Sequence, residues 1–130
     1  MLFYIFVTKQ LVLMETKQVI LHAESAYVGP FWENDFCNIG DYNELWIDDV
    51  KYDIDFPGFK EWFLQADQFD PYSDVEKEFN AIGFDEWVNQ GYKYAVMLRE
   101  FLPKDIDVYY GFWKDFGDNN WRYCKAYITL

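Results

Sequence analysis

The residues that could do chemistry are few and lie far apart. His22 is the only histidine in a chain that carries 23 acidic residues. It falls in Gln18 to Val28, a run rich in β-forming residues, where successive side chains point to opposite faces. Leu21 and Ala23 then share one face, while His22 shares the other with Ile20 and Glu24. A histidine beside a glutamate can act as a general base. A hydrogen-bonded structural histidine is the more ordinary outcome on a strand, and it is the reading adopted. The only serines, Ser25 and Ser73, lie in no nucleophile motif. Two carboxylates across a cleft would suit glycoside hydrolysis, but among so many acids some pair always fits. The dense run Asp48, Asp49, Asp53, Asp55 lacks the glycine of a calcium loop and places Lys51 at a ligand position. Asp115 to Asn120 fails in the same way. Cys37 and Cys124 form neither a CxxC pair nor a cluster with histidine, so zinc is not indicated. Two buried, reduced thiols are expected in preference to a disulfide. No glycine-rich phosphate loop is present, so the sequence predicts no catalytic residue, no metal and no cofactor.

Charge is the stronger signal. The formal net charge is −12 over 130 residues, and it is unevenly placed. Asp41 to Glu86 holds fourteen acidic and three basic residues, against nine and eight in the rest of the chain. A one-signed field of this kind repels phosphate backbones and speeds encounter with a basic partner, so nucleic-acid binding is excluded. Keeping an aromatic-rich domain soluble would also explain the charge, although a solubilising surface normally mixes signs. Tyrosine and tryptophan interleaved with charge are the residue types that anchor interfaces. The expected docking face for a cationic protein therefore has Trp46, Tyr52 and Tyr72 as anchors. Asp48, Asp49, Asp53, Asp55, Asp70 and Asp74 would supply the complementary charge. Exposed aromatics of this kind would serve a homodimer equally well.

The elements that must position these residues follow from periodicity. Met1 to Val7 and Leu11 to Met14 are apolar runs too short to span a bilayer. Residues 1–13 read as an added strand of the sheet or as a leader before a start at Met14. Gln18 to Val28 is the next strand, closed by Gly29-Pro30, and Phe31 to Tyr42 reads as a loop. Val50, Tyr52 and Ile54 alternate with Lys51, Asp53 and Asp55, the pattern of a half-buried strand. Phe59, Trp62, Phe63, Ala66 and Phe69 line one face of a helix that Pro57 opens and Asp70-Pro71 ends. Ser73 with Glu76 has the form of a capping box for a short further helix. From Phe84 to Leu102 a spacing of three and four persists over five turns, and Pro103 stops it. Ile106 to Trp113 and Trp121 to Thr129 alternate as two strands joined by Gly117-Asp118-Asn119-Asn120, an antiparallel hairpin. The fold class expected is a single α+β domain: an antiparallel sheet with two main helices packed on one face and a C-terminal β-hairpin.

The run Phe84-Asp85-Glu86-Trp87-Val88-Asn89-Gln90-Gly91-Tyr92-Lys93-Tyr94-Ala95-Val96-Met97-Leu98-Arg99-Glu100-Phe101-Leu102-Pro103 leads into Asp107-Val108-Tyr109-Tyr110. It resembles a helix-then-strand pattern of small acidic bacterial proteins, among them immunity proteins encoded beside polymorphic or contact-dependent toxins. The resemblance covers about a quarter of the chain. It implies a cytoplasmic, non-enzymatic protein that binds a cognate toxin, such as a basic nuclease whose site normally meets phosphate. The alternative is a small carbohydrate- or ligand-binding domain with its aromatics as a platform.

Overall fold

The structure, a computed structural model, describes residues 2–7, 10–15, 17–71 and 83–129. Strands β1 (Leu2–Val7) and β2 (Gln10–Glu15) pair with each other, antiparallel, in a two-stranded sheet of their own. They do not extend the main sheet as expected, because two apolar runs so close in sequence can satisfy each other's backbone groups. The main sheet begins with β3 (Lys17–Leu21), β4 (Phe31–Trp32), β5 (Asn38–Asp41), β6 (Glu44–Ile47) and β7 (Val50–Asp53), an antiparallel meander. After the helical segment, β8 (Ile106–Asp115) and β9 (Trp121–Tyr127) complete it, in the order β7-β6-β5-β4-β3-β8-β9. The hairpin of β8 with β9 is antiparallel, as its alternation predicts. The pairing of β3 with β8 is parallel, so the sheet is mixed and not purely antiparallel.

The expected loop from Phe31 to Tyr42 contains β4 and β5. Both are too short for a period to declare itself, and their partners create them. Phe31 and Trp32 pair with Leu21 and Ile20, and a register shift follows between them on the β5 side. The Asn38 amide stands in for missing ladder bonds, donating to the carbonyls of Gly29 at 2.6 Å and Phe31 at 3.0 Å. Two tight turns rest on non-glycine residues in the left-handed region: Asp48 and Asp49 (φ 50 and 64) join β6 to β7. Asp118 and Asn119 (φ 51 and 60) do the same between β8 and β9. Turns with both central residues at positive φ match the twist of a hairpin, and Asp and Asn tolerate that region best after glycine.

Among the described residues, both helices pack into one core on the same face of the sheet. Helix α1 (Phe59–Leu64) continues into a 3-10 turn, Ala66–Phe69, and α2 (Phe84–Phe101) follows beyond the undescribed residues. The capping box at Ser73 lies outside the described residues. Phe59, Trp62, Phe63, Ala66 and Phe69 are all buried, as their spacing predicts. The two helices are fastened by a reciprocal pair. The Trp62 indole donates to the Trp87 carbonyl at 2.8 Å and the Trp87 indole to the Trp62 carbonyl at 2.9 Å, with the rings stacked 4.8 Å apart. Helix α2 comes close to the sheet at Gly91, where an added Cβ would lie 2.2 Å from the Tyr110 hydroxyl and 2.4 Å from the Trp62 ring. That hydroxyl donates instead to the Val88 carbonyl at 2.8 Å.

At the other end of α2, Arg99 is only 6% exposed, the one buried charged residue among those described. Its guanidinium donates to the carbonyls of Ile106 and of Pro103, the latter at 2.7 Å, with Leu102 at 3.4 Å. Leu102 and Pro103 directly follow the helix and Ile106 opens β8, so one side chain ties the end of α2 to the start of the strand. No helix of the described residues is long and apolar enough to cross a membrane.

Candidate functional site on the helix-free face of the sheet

Strand alternation decides which residues face away from the helices. Val19, Leu21, Leu45, Ile47, Val108 and Tyr110 belong to the core shared with α1 and α2. Their neighbours Ile20, Trp46 and Tyr109 therefore point to the opposite face. His22 follows in the same alternation, since Leu21 and Ala23 on either side of it are core residues. Register carries the assignment across the sheet, because directly paired residues share a face: Ile20 pairs with Trp32 and with Tyr109, and Tyr109 with Tyr127.

On the β5-β6-β7 side this face is acidic. Asp41 pairs with Glu44 and Glu44 with Asp53, so three carboxylates lie in one row across three strands. Like charges directly opposite each other are unfavourable. Lys51 relieves part of the repulsion, with Nζ 3.4 Å from Glu44 and 3.4 Å from Asp53. Those two carboxylates, by hydrogen bond and charge, raise the Lys51 pKa. Trp46, 47% exposed, pairs with Lys51 on the same face.

The residues singled out by charge and aromaticity are thus only partly brought together. Trp46 and Asp53 share the helix-free face. Asp48 and Asp49 sit at the β6-β7 turn, at the far end of β7 from Asp53, where Asp48 pairs with Lys17 at 3.4 Å. Tyr52 points the other way: it lies half-buried on the core side with its ring edge-on to Phe101. Asp55 is exposed beyond β7, and Asp70 is half-buried after the 3-10 turn, where its charge acts on His22. Tyr72 and Asp74 lie outside the described residues. Sequence order places these acids in one stretch, but the antiparallel reversal at Asp48-Asp49 sends neighbours in sequence to opposite ends of the sheet. Asp41 and Glu44, which complete the row, are legible only once β5 and β6 are recognised.

The β3-β8-β9 side is aromatic and contains a cavity of about 190 Å³. His22 forms part of its wall. Its Nδ1 lies 3.1 Å from the Gly111 carbonyl, and its ring meets that of Tyr123 at 4.8 Å. Gly111 makes this possible: an added Cβ would fall 2.2 Å from the Tyr123 hydroxyl, so only glycine lets the Tyr123 ring cross β8 to reach His22. Trp32 and Trp113 add two indoles, and the Trp32 Nε1–H is taken up by the His22 carbonyl at 3.0 Å. Asn34, Glu24 and Asp35 form the polar lining. Lys125 reaches Asp35 at 3.5 Å, both side chains partly exposed. Burial lowers the His22 pKa below the ordinary 6.5, opposed by its bond to the Gly111 carbonyl and by the charges of Glu24, Asp70 and Asp35. Burial, with Asp35 and Glu24, pushes the Tyr123 hydroxyl above its ordinary 10. A neutral His22 donating from Nδ1 leaves Nε2 as an acceptor. Among the described residues no hydrogen bond joins His22 to Glu24, so the general-base pair is not formed.

Among the described residues no three metal-binding side chains cluster. The two cysteines are free, but Cys37 is exposed, not buried: it lies in the β4-β5 connection, where a hydrogen bond to the Glu33 carboxylate raises its pKa. Comparison with family models, with curated proteins and with solved structures finds no match to this chain.

Proposed function

We propose that this chain is a non-enzymatic binding domain for a cationic protein, which docks on the helix-free face of the sheet. One observation carries the reading: the carboxylate row Asp41, Glu44 and Asp53 lies beside the exposed Trp46 on the sheet face opposite α1 and α2, which bears no helix among the described residues. An aromatic anchor beside concentrated charge of one sign is what an electrostatically steered interface requires. In its most specific form the partner is a basic bacterial toxin and the protein its immunity factor, acting in the cytoplasm and covering a surface that would otherwise meet phosphate.

The test is calorimetric titration with the product of the neighbouring gene at low and moderate salt, using the wild type and E44Q/D53N. Tight binding that weakens with salt, and weakens at least tenfold in the variant, supports the reading. Salt-insensitive binding, or binding unchanged in the variant, removes the acidic face from the mechanism. A second reading, a small carbohydrate- or ligand-binding domain, is favoured by the indole-lined cavity at His22. Tryptophan fluorescence on adding a panel of sugars tests it, and silence across the panel counts against it.

A further inference from the structure

The cavity at His22 has a chemistry of its own. Its walls are π-faces, from Trp32, Trp113 and Tyr123, and its titratable rim is acidic, with Glu24 and Asp35. A neutral His22 bound through Nδ1 to the Gly111 carbonyl offers Nε2 as a lone pair. The Trp32 N–H, the donor an anion would need, is already committed to the His22 carbonyl. The site is therefore rich in acceptors and electron-rich faces. With Lys125 against Asp35, the rim retains one uncompensated negative charge.

We propose that this cavity receives an arginine side chain of the partner protein, an assignment that rests on the docking reading above for the source of the arginine. A guanidinium is flat, weakly hydrated and stacks on aromatic faces, and its several N–H groups match acceptors arranged around a ring wall. The volume, about 190 Å³, suits the end of a side chain; drug-sized ligands occupy roughly 300–1,000 Å³. Lys125 and Asp35 form a partly exposed pair, which is weakly held. Set against Glu24 with that pair left in place, an incoming guanidinium neutralises the rim. The site lies on the same face as Trp46 and the carboxylate row, so one partner surface reaches both.

The experiment is an NMR titration of the full chain with N-acetyl-arginine amide, following the Trp32 and Trp113 indole N–H signals and the His22 ring. Expected are saturable shifts confined to the cavity, absent with the neutral isostere N-acetyl-citrulline amide, and at least fivefold weaker in E24Q/D35N and in W113A. The carboxamide pair leaves the aromatic wall intact, so a folding defect in W113A alone does not blunt the test. Equal shifts from citrulline, or no shifts up to the solubility of the probe, overturn the proposal. Equal affinity for N-acetyl-lysine amide overturns the guanidinium assignment. A parallel titration with an oligo-arginine peptide separates the two readings. Salt-sensitive binding lost in E44Q/D53N, without arginine-amide binding, leaves the docking face and removes the cavity. Arginine-amide binding without peptide binding leaves the cavity and removes the docking face.

Discussion

Replacing Arg99 by methionine keeps the aliphatic stem and removes the guanidinium, so it isolates the clamp between α2 and β8. Two donations are lost, to the Pro103 and Ile106 carbonyls. Each hydrogen bond to a charged group is worth about 1.5–3 kcal/mol. The 3.4 Å contact to Leu102 adds little. A cation in the last helical turn adds about 0.3–1 kcal/mol. Against these stands the desolvation of a guanidinium only 6% exposed, a penalty of several kcal/mol that methionine escapes. Among the described residues no carboxylate pairs with Arg99, so the carbonyls alone offset that penalty; removing the side chain takes the guanidinium donor from each, and the Pro103 carbonyl keeps only the Ile106 N–H at 3.1 Å. The net expectation is a loss of about 3 kcal/mol. For a domain of this size that lowers Tm by roughly 12 °C. Urea denaturation followed by tryptophan fluorescence, with a thermal scan by circular dichroism, reads both quantities. R99K should recover less than half of the loss, because one ammonium cannot span carbonyls that a planar fork reaches together. A loss below about 1 kcal/mol in R99M, or an R99K protein as stable as the wild type, would refute the argument.

Three further expectations follow from the same geometry. W62F and W87F each leave one carbonyl without its indole donor and should cost about 1–2 kcal/mol; the double variant should cost about 1 kcal/mol less than the sum, as a double-mutant cycle will read, because ring stacking is lost only once. G91A gains about 1 kcal/mol of helix propensity but forces the Tyr110 hydroxyl and the Trp62 ring apart, so a net loss of about 1–2 kcal/mol is expected in urea melts, and a stabilised G91A would show that α2 does not rest on β8 there. His22, whose folded pKa is lowered by burial, resists a proton that the unfolded chain accepts. Its contribution is complete above pH ~6.5 and is lost as pH falls through the folded value, with a slope of at most about 1.4 kcal/mol per pH unit; H22Q should flatten the stability profile just below pH ~6.5, ahead of carboxylate titration, and an unchanged profile would contradict the burial.

The elements legible in the sequence were those whose period had room to repeat. Helix α2 begins at Phe84 as its spacing predicts and ends one residue before the expected Leu102, and the hairpin of β8 with β9 forms as predicted. Strands β4, β5 and β6 span two to four residues each, too few for alternation to be distinguished from chance. The parallel pairing of β3 with β8 leaves no local trace at all, since it joins segments from opposite ends of the chain. The same holds for the candidate site. The face on which His22 lies could be read from Leu21 and Ala23, but Trp32, Trp113 and Tyr123 reach it from three other places. Gly111, in the middle of an alternating strand, was the one local clue, because a glycine there often marks the close approach of another group. Tyr52 and Trp46 sit in one acidic stretch, yet strand parity places them on opposite faces.

The position of β3 in the middle of the sheet also sets an order of events. Its partner on one side, β4, begins ten residues after β3 ends, whereas β8 on the other side comes only after both helices. During synthesis the meander from β3 to β7 is complete while the β8 side of β3 still offers unpaired backbone groups. Contacts of such long sequence separation form late and slowly, and an open strand edge is a template for pairing with other chains. A chain stalled or cleaved before Ile106 therefore exposes a strand whose Val19, Ile20 and Leu21 are buried in the folded protein as an edge, which makes the arrival of β8 the step that separates folding from aggregation.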